Sequence, residues 1–173
     1  MLLCLMPSLA QGAGTADKGI EQAGTAVAIA LPVAAVGVSL LHDRDWEGLG
    51  QFALSTGLTV GTALILKQVV REQRPDHSDF QSFPSDTTAL AASSAAYMWD
   101  RYGWEYGLPA LAATAFVGYS RVKARKHHWY DAAASGALAV GFNYAFVTHF
   151  DGRYRFDASA DGDAVGVRFA MTW

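Results

Sequence analysis

Cysteine is nearly missing from this 173-residue sequence: Cys4 stands alone, close to the start. A chain with no other thiol has no internal disulfide, no thiolate metal cluster and no cysteine nucleophile further along. Charge is scarce too, at 17% of residues against 51% hydrophobic, and the formal net charge of -3 has the wrong sign for a polyanion binder. No global positive field exists to hold nucleic acid, so the basic residues matter by position rather than by sum. Internal repeats and low-complexity segments are also absent. The length suits one domain with a sizeable core.

What the chain does have is long uncharged runs. Residues 23–41 and 48–66 each supply nineteen positions without a formal charge, enough for a helix to cross a bilayer. A third run, 132–150, is broken only by Asn143, Thr148 and His149, and Pro32 kinks the first in a way that membrane helices tolerate. Two shorter runs, 87–99 and 106–119, are rich in Ala, Ser, Thr and Gly, the residues that let helices pack closely. The expected fold is all-α: a membrane-embedded or membrane-associated bundle of about five helices over residues 14–150. Residues 151–173 read as a small C-terminal β-hairpin, with Tyr154 to Phe156 and Val165 to Phe169 flanking the turn-prone Asp161, Gly162 and Asp163.

Residues 1–13 carry no charge and run through Pro7 to the small-residue stretch Leu9-Ala10-Gln11-Gly12-Ala13. This is the pattern of the end of a secretory signal peptide, although the positive n-region is missing; an apolar N-terminal tail is the alternative. After a cleaved leader the first span starts outside, which directs the localisation to a bacterial-type inner membrane with the second and fourth connections facing the periplasm. The lysines and arginines of those connections argue for the opposite orientation, an argument discounted because several of them have an anion to hold.

Those two connections carry the chemistry. Lys67 is followed after six residues by Arg74-Pro75; Pro84-Ser85-Asp86-Thr87 comes next; then Ser120-Arg121, with His127 after five residues and Asp131 after three more. Three cations, a hydroxyl and a histidine four residues before a carboxylate suit phosphoryl transfer. The cations match the charge on the equatorial oxygens, and an imidazole can attack phosphorus in line. Singly, each piece has a plainer reading: a solvated basic helix end, a Ser85 N-cap, a structural hydrogen bond between residues four apart. No metal is expected, because no second His or Glu stands at ligand spacing near His127 apart from its neighbour His128, which is expected to point elsewhere; no cofactor is expected either.

Together the three clusters resemble the type 2 phosphatidic acid phosphatase (PAP2) superfamily, which also holds bacterial acid phosphatases and vanadium haloperoxidases. The resemblance covers Lys67 to Asp131. It implies that Lys67, Arg74, Ser85 and Arg121 bind phosphate, that His127 becomes phosphohistidine, and that Asp131 bonds the other imidazole nitrogen. It implies a phosphorylated lipid or isoprenoid as substrate and the membrane as partner. The departure lies in the middle motif, where the family's Gly-His, whose histidine protonates the leaving group, is replaced by Asp86-Thr87. Threonine cannot do that work near neutrality, so general-acid capability is expected to be reduced and diphosphates, which leave without a proton, to be favoured over monoesters. Asp86, His77 and His128 are the candidate proton donors. The alternatives are a non-catalytic phosphate-headgroup-binding pseudoenzyme, a soluble periplasmic acid phosphatase and, with vanadate in the cradle, a haloperoxidase.

Overall fold

A computed structural model describes the backbone of residues 9–42, 44–150, 154–161 and 164–171, and side-chain surroundings for 17–42 and 44–150. Five helices follow one another: α1 (Leu9–Leu41), α2 (Trp46–Val70), α3 (Asp86–Tyr102), α4 (Trp104–Lys123) and α5 (Trp129–Phe146). The expected helix count is met. Two strands follow, β1 (Tyr154–Asp161) and β2 (Ala164–Met171), paired antiparallel from Tyr154 opposite Met171 to Asp161 opposite Ala164. Most of the expected leader, residues 1–8, lies outside the described residues, and 9–13 continue into α1.

The helices run past the uncharged stretches that announced them. Backward extension of α5 to Trp129 comes from its cap: the His128 side chain accepts from the Asp131 backbone while the Asp131 carboxylate accepts from His128 N, a reciprocal box that satisfies two orphan donors. At the other end α5 stops at Phe146 rather than Phe150, because residues 147–150 turn away to meet α3; Phe150 N donates to Arg101 O (2.7 Å). Helix α2 ends at Arg71 in the left-handed region (φ 42°), and the chain leaves the bundle there.

Helix α3 is the axis of the bundle. It packs on all four other helices, with α1 and α4 together on one side and α2 and α5 together on the other, while α1 with α2 and α4 with α5 barely touch. Small side chains allow this: Ala89, Ala91, Ala92, Ser93, Ser94 and Ala95 are all buried. Helix α1 presses on α4 at Gly24, where an added Cβ would collide with the Ser120 side chain. That contact brings Glu21 and Thr25 beside Arg121.

Large apolar residues point outward instead. Ile29, Val33, Leu41, Ile65, Val69 and Val140 are each more than half exposed. Helices α1 (from Asp17) and α2 are long and apolar enough to cross a membrane, and only 28% and 22% of their apolar windows are buried. A core helix of a water-soluble bundle would be mostly buried, so this surface is one that lipid can cover.

A polar clamp closes the end of the bundle where α2 begins and α3 and α5 finish. Arg101 holds buried Asp45 through two parallel bonds (Nε to Oδ2 2.8 Å, Nη2 to Oδ1 2.7 Å). Tyr102 Oη and Gly48 N also donate to that carboxylate, and Arg101 Nη1 reaches Thr148 O. Every charge in the clamp is compensated, as burial requires.

Candidate active site

The opposite end gathers the three motif clusters. The α2–α3 and α4–α5 connections are stitched together: Asp76 N donates to Arg125 O (3.0 Å), Arg125 Nη2 to Pro75 O (3.3 Å) and Lys126 Nζ to Asp76 Oδ2 (2.7 Å). Burial opposes ionisation of Asp76, but Lys126 and the two Ser78 donors together outweigh it and hold its carboxyl far below the usual carboxylate range. Both basic connections therefore lie on one side of the bundle, as a single site requires.

His127 sits at the centre, 1% exposed. Its Nδ1 lies 2.7 Å from the carbonyl oxygen of Ser82. A carbonyl only accepts, so Nδ1 carries the proton of the neutral ring and Nε2 keeps the lone pair. Nε2 is buried and meets no hydrogen-bond partner among the described residues. Burial holds the imidazole below its ordinary pKa, with the charges of Lys67 and Arg74 adding to that and the Asp131 and Ser82 contacts opposing it. The ring is therefore neutral near pH 7, with its free nitrogen ready to attack an electrophile.

Asp131 departs from its expected role. Its Oδ2 is 3.5 Å from His127 Nδ1, longer than a hydrogen bond, because it is held by other donors: Ser82 Oγ at 2.5 Å and His128 N at 2.8 Å. The imidazole proton goes to the nearer Ser82 carbonyl. His128 departs too: rather than pointing elsewhere, its Nδ1 is 3.5 Å from Asp131 Oδ2 and 3.9 Å from Glu72 Oε1, with its ring stacked on Tyr130. Tyr130 Oη in turn donates to Glu72. Glu72, His128 and Asp131 offer ligand atoms within 4.8 Å of one another. Asp131 Oδ2 already faces two hydrogen-bond donors there, an arrangement suited to hydrogen bonding more than to a cation.

Each expected phosphate-binding cation has a carboxylate partner within the chain. Lys67, 5% exposed, donates to Gln81 O (2.8 Å) and lies 3.4 Å from Asp86 Oδ1. Arg74 Nε donates to Asp79 Oδ1 (2.6 Å), and Arg121 Nη1 reaches Glu21 Oε1 (3.3 Å) and Thr25 Oγ1 (3.5 Å). The Nε of Arg121 is buried without a partner among the described residues. Ser85 is fully buried and caps α3, its Oγ accepting from Thr88 N (3.3 Å), so the plainer N-cap reading of this serine is realised. His77 lies at the surface in a left-handed turn (φ 60°), its N–H bonded to Arg74 O (2.9 Å), and its ring makes no hydrogen bond to a described residue.

A cavity of about 320 Å³ opens between α1, α2 and α3. Its apolar walls include Ile29, Val60, Leu64 and Leu90, and its polar lining is Thr25, Asp86 and Thr87. Asp86 pairs with Lys67 and Thr25 with Arg121, so the polar lining of this apolar recess contacts two of the three cations.

Several residues of the site carry no signature in the sequence. Ser82, Gln81 and Glu72 act partly through backbone atoms, which any residue type supplies, and Glu21 lies a hundred positions from the arginine it meets. The one clue to Ser82 is its place immediately before Phe83-Pro84-Ser85.

Known proteins resemble this chain along much of its length. The PAP2 superfamily profile matches residues 48–155. A curated relative, the lipid A 4'-phosphatase of Helicobacter pylori (strain J99 / ATCC 700824), is 29% identical over 155 residues, covering 80% of this chain and 78% of its own. Among solved structures, the transmembrane PAP2 type phosphatidylglycerolphosphate phosphatase from Bacillus subtilis is 22% identical, with 81% of this chain and 85% of that chain covered and a TM-score of 0.44.

Proposed function

The chain belongs to the PAP2 superfamily, and from that membership we propose that it is a membrane phosphatase that removes phosphate from a phosphorylated lipid through a phosphohistidine on His127. The observation that carries the reading is the state of one ring: buried, neutral, with Nδ1–H held by an acceptor, Nε2 without a partner among the described residues, and the charges of Lys67 and Arg74 acting on it. In the first step Nε2 forms a bond to phosphorus while the bond to the leaving oxygen breaks, and Lys67, Arg74 and Arg121 exchange their carboxylate partners for phosphoryl oxygens. Asp131, joined to the ring through Ser82, favours the positive charge that develops on the imidazole. Water then cleaves the P–N bond, releasing phosphate and restoring the lone pair.

Two observations support a lipid. The cavity beside the cations has apolar walls, and the outward surfaces of α1 and α2 are apolar. The Helicobacter pylori relative, by name, acts on lipid A, which points to the same substrate class. Thr87 lines that cavity where a proton donor is expected, and Asp86 is paired with Lys67, a partner that disfavours the proton a general acid must carry. We therefore assign the enzyme reduced general-acid capability and a preference for diphosphates, including isoprenoid diphosphates. The helical domain spans 14–150, and its site end faces the periplasm in this reading.

A non-catalytic headgroup binder is favoured by one feature, the pairing of each of these three cations with an internal carboxylate. Phosphate release from a panel of lipid mono- and diphosphates by purified protein, with His127→Ala as control, separates the two. Turnover that needs His127 supports the enzyme; binding without turnover supports the binder.

A further inference from the structure

We infer that Ser82 is the positioning residue of the nucleophile, its carbonyl fixing the His127 tautomer and its hydroxyl fixing Asp131. The inference rests on the reading of His127 as nucleophile. Ser82 is fully buried, and three of its polar groups are used: O faces His127 Nδ1 at 2.7 Å, Oγ donates to Asp131 Oδ2 at 2.5 Å, and N donates to Glu72 O at 2.9 Å. One residue thus links the Lys67–Arg74 segment to the His127–Asp131 segment, three positions before Ser85.

The division of labour follows from distance. Asp131, at 3.5 Å, is too far to hold the imidazole N–H by itself. Where a carboxylate is the sole partner of Nδ1, its amide replacement lets the ring adopt the wrong tautomer, at a cost of about 10⁴-fold in turnover. Here a backbone carbonyl holds the proton, and no side-chain replacement at position 131 removes that acceptor. The aspartate acts on the ring as a charge that the Ser82 hydroxyl keeps in place. Losing the hydroxyl lets the carboxylate turn and leaves the tautomer intact.

The test is a double-mutant cycle on the full chain in detergent, with Ser82→Ala, Asp131→Asn and both, read as kcat, KM and pH profile, and with His127→Ala alongside. Ser82→Ala is expected to lower kcat about tenfold with KM unchanged and to move the acid limb of the kcat profile down, since the Asp131 charge no longer supports the imidazolium. The double variant is expected to match Asp131→Asn alone, because Ser82 acts through Asp131. Asp131→Asn itself is expected to stay within about a hundredfold of wild type, short of the loss from a wrong tautomer. Wild-type kcat in Ser82→Ala, multiplicative losses in the double variant, or an Asp131→Asn loss equal to that of His127→Ala overturns the inference. Should Ser82→Ala fail to fold, the comparison of Asp131→Asn with His127→Ala still decides. Full activity in His127→Ala would instead overturn the underlying reading of the nucleophile.

Discussion

Asp86 Oδ1 lies 3.4 Å from Lys67 Nζ, so the residue after Ser85 in the middle motif is paired with the first cation of the cradle. In the proposed mechanism a phosphoryl oxygen competes with that carboxylate for the same ammonium. Asp86→Asn is expected to lower KM for a phosphorylated lipid by about fivefold, close to 1 kcal/mol, a modest figure because the Asp86 side chain is 42% exposed and screened. Steady-state kinetics check it; an unchanged or higher KM contradicts it.

Thr87 lines the cavity and occupies the middle-motif position from which a proton donor is expected to act. Thr87→His is expected to raise kcat on a lipid monophosphate by about 10²-fold, the ordinary worth of a general acid, and to leave a lipid diphosphate nearly unchanged. Equal gains on both substrates would remove the proposed leaving-group preference.

The pH dependence follows from His127. Burial, then Lys67 and Arg74, hold its folded-state pKa below the ordinary value. The reactive form is the neutral ring, so kcat/KM is expected to be flat above about pH 6.5 and to fall only as pH drops through the lower folded value. Stability has the same sign: below about pH 6.5 the unfolded chain takes up the proton first, and the stability present above that pH is lost as pH falls. Replacing Lys67 by Met is expected to move the acid limb of kcat/KM upward, and a downward shift would contradict the electrostatic account.

At the other end of the bundle, Asp45→Ala leaves Arg101 buried without its counter-ion. The expected loss is about 3 to 5 kcal/mol of stability, seen as a lower midpoint of thermal unfolding in detergent, with kcat per folded molecule unchanged because the clamp lies far from His127.

The sequence alone marked Lys67, Arg74, Arg121, His127 and Asp131 as candidates, because they are chemically distinctive residues at fixed spacings, and the structure gathers their connections at one end of the bundle. The five helices were legible as well, since uncharged runs and small residues mark packing faces directly. Helix ends were less so: α5 begins three residues early because His128 and Asp131 cap each other, a pairing that only the folded turn reveals. Nor could spacing show that Ser82 rather than Asp131 is the nearest partner of the imidazole, since that partner is a carbonyl oxygen. The carboxylates of the cradle were hidden for another reason. Glu21 reaches Arg121 only because Gly24 lets α1 press against Ser120, a tertiary contact with no local trace.

The proposed role of His127 is tested most directly by acid-avoiding quench of purified protein mixed with a radiolabelled lipid phosphate. The wild type is expected to carry label on His127, stable to alkali and labile to acid, with none on His127→Ala and no phosphate release from that variant. Turnover at the wild-type rate by His127→Ala, or turnover without labelled histidine at any quench time, would contradict it.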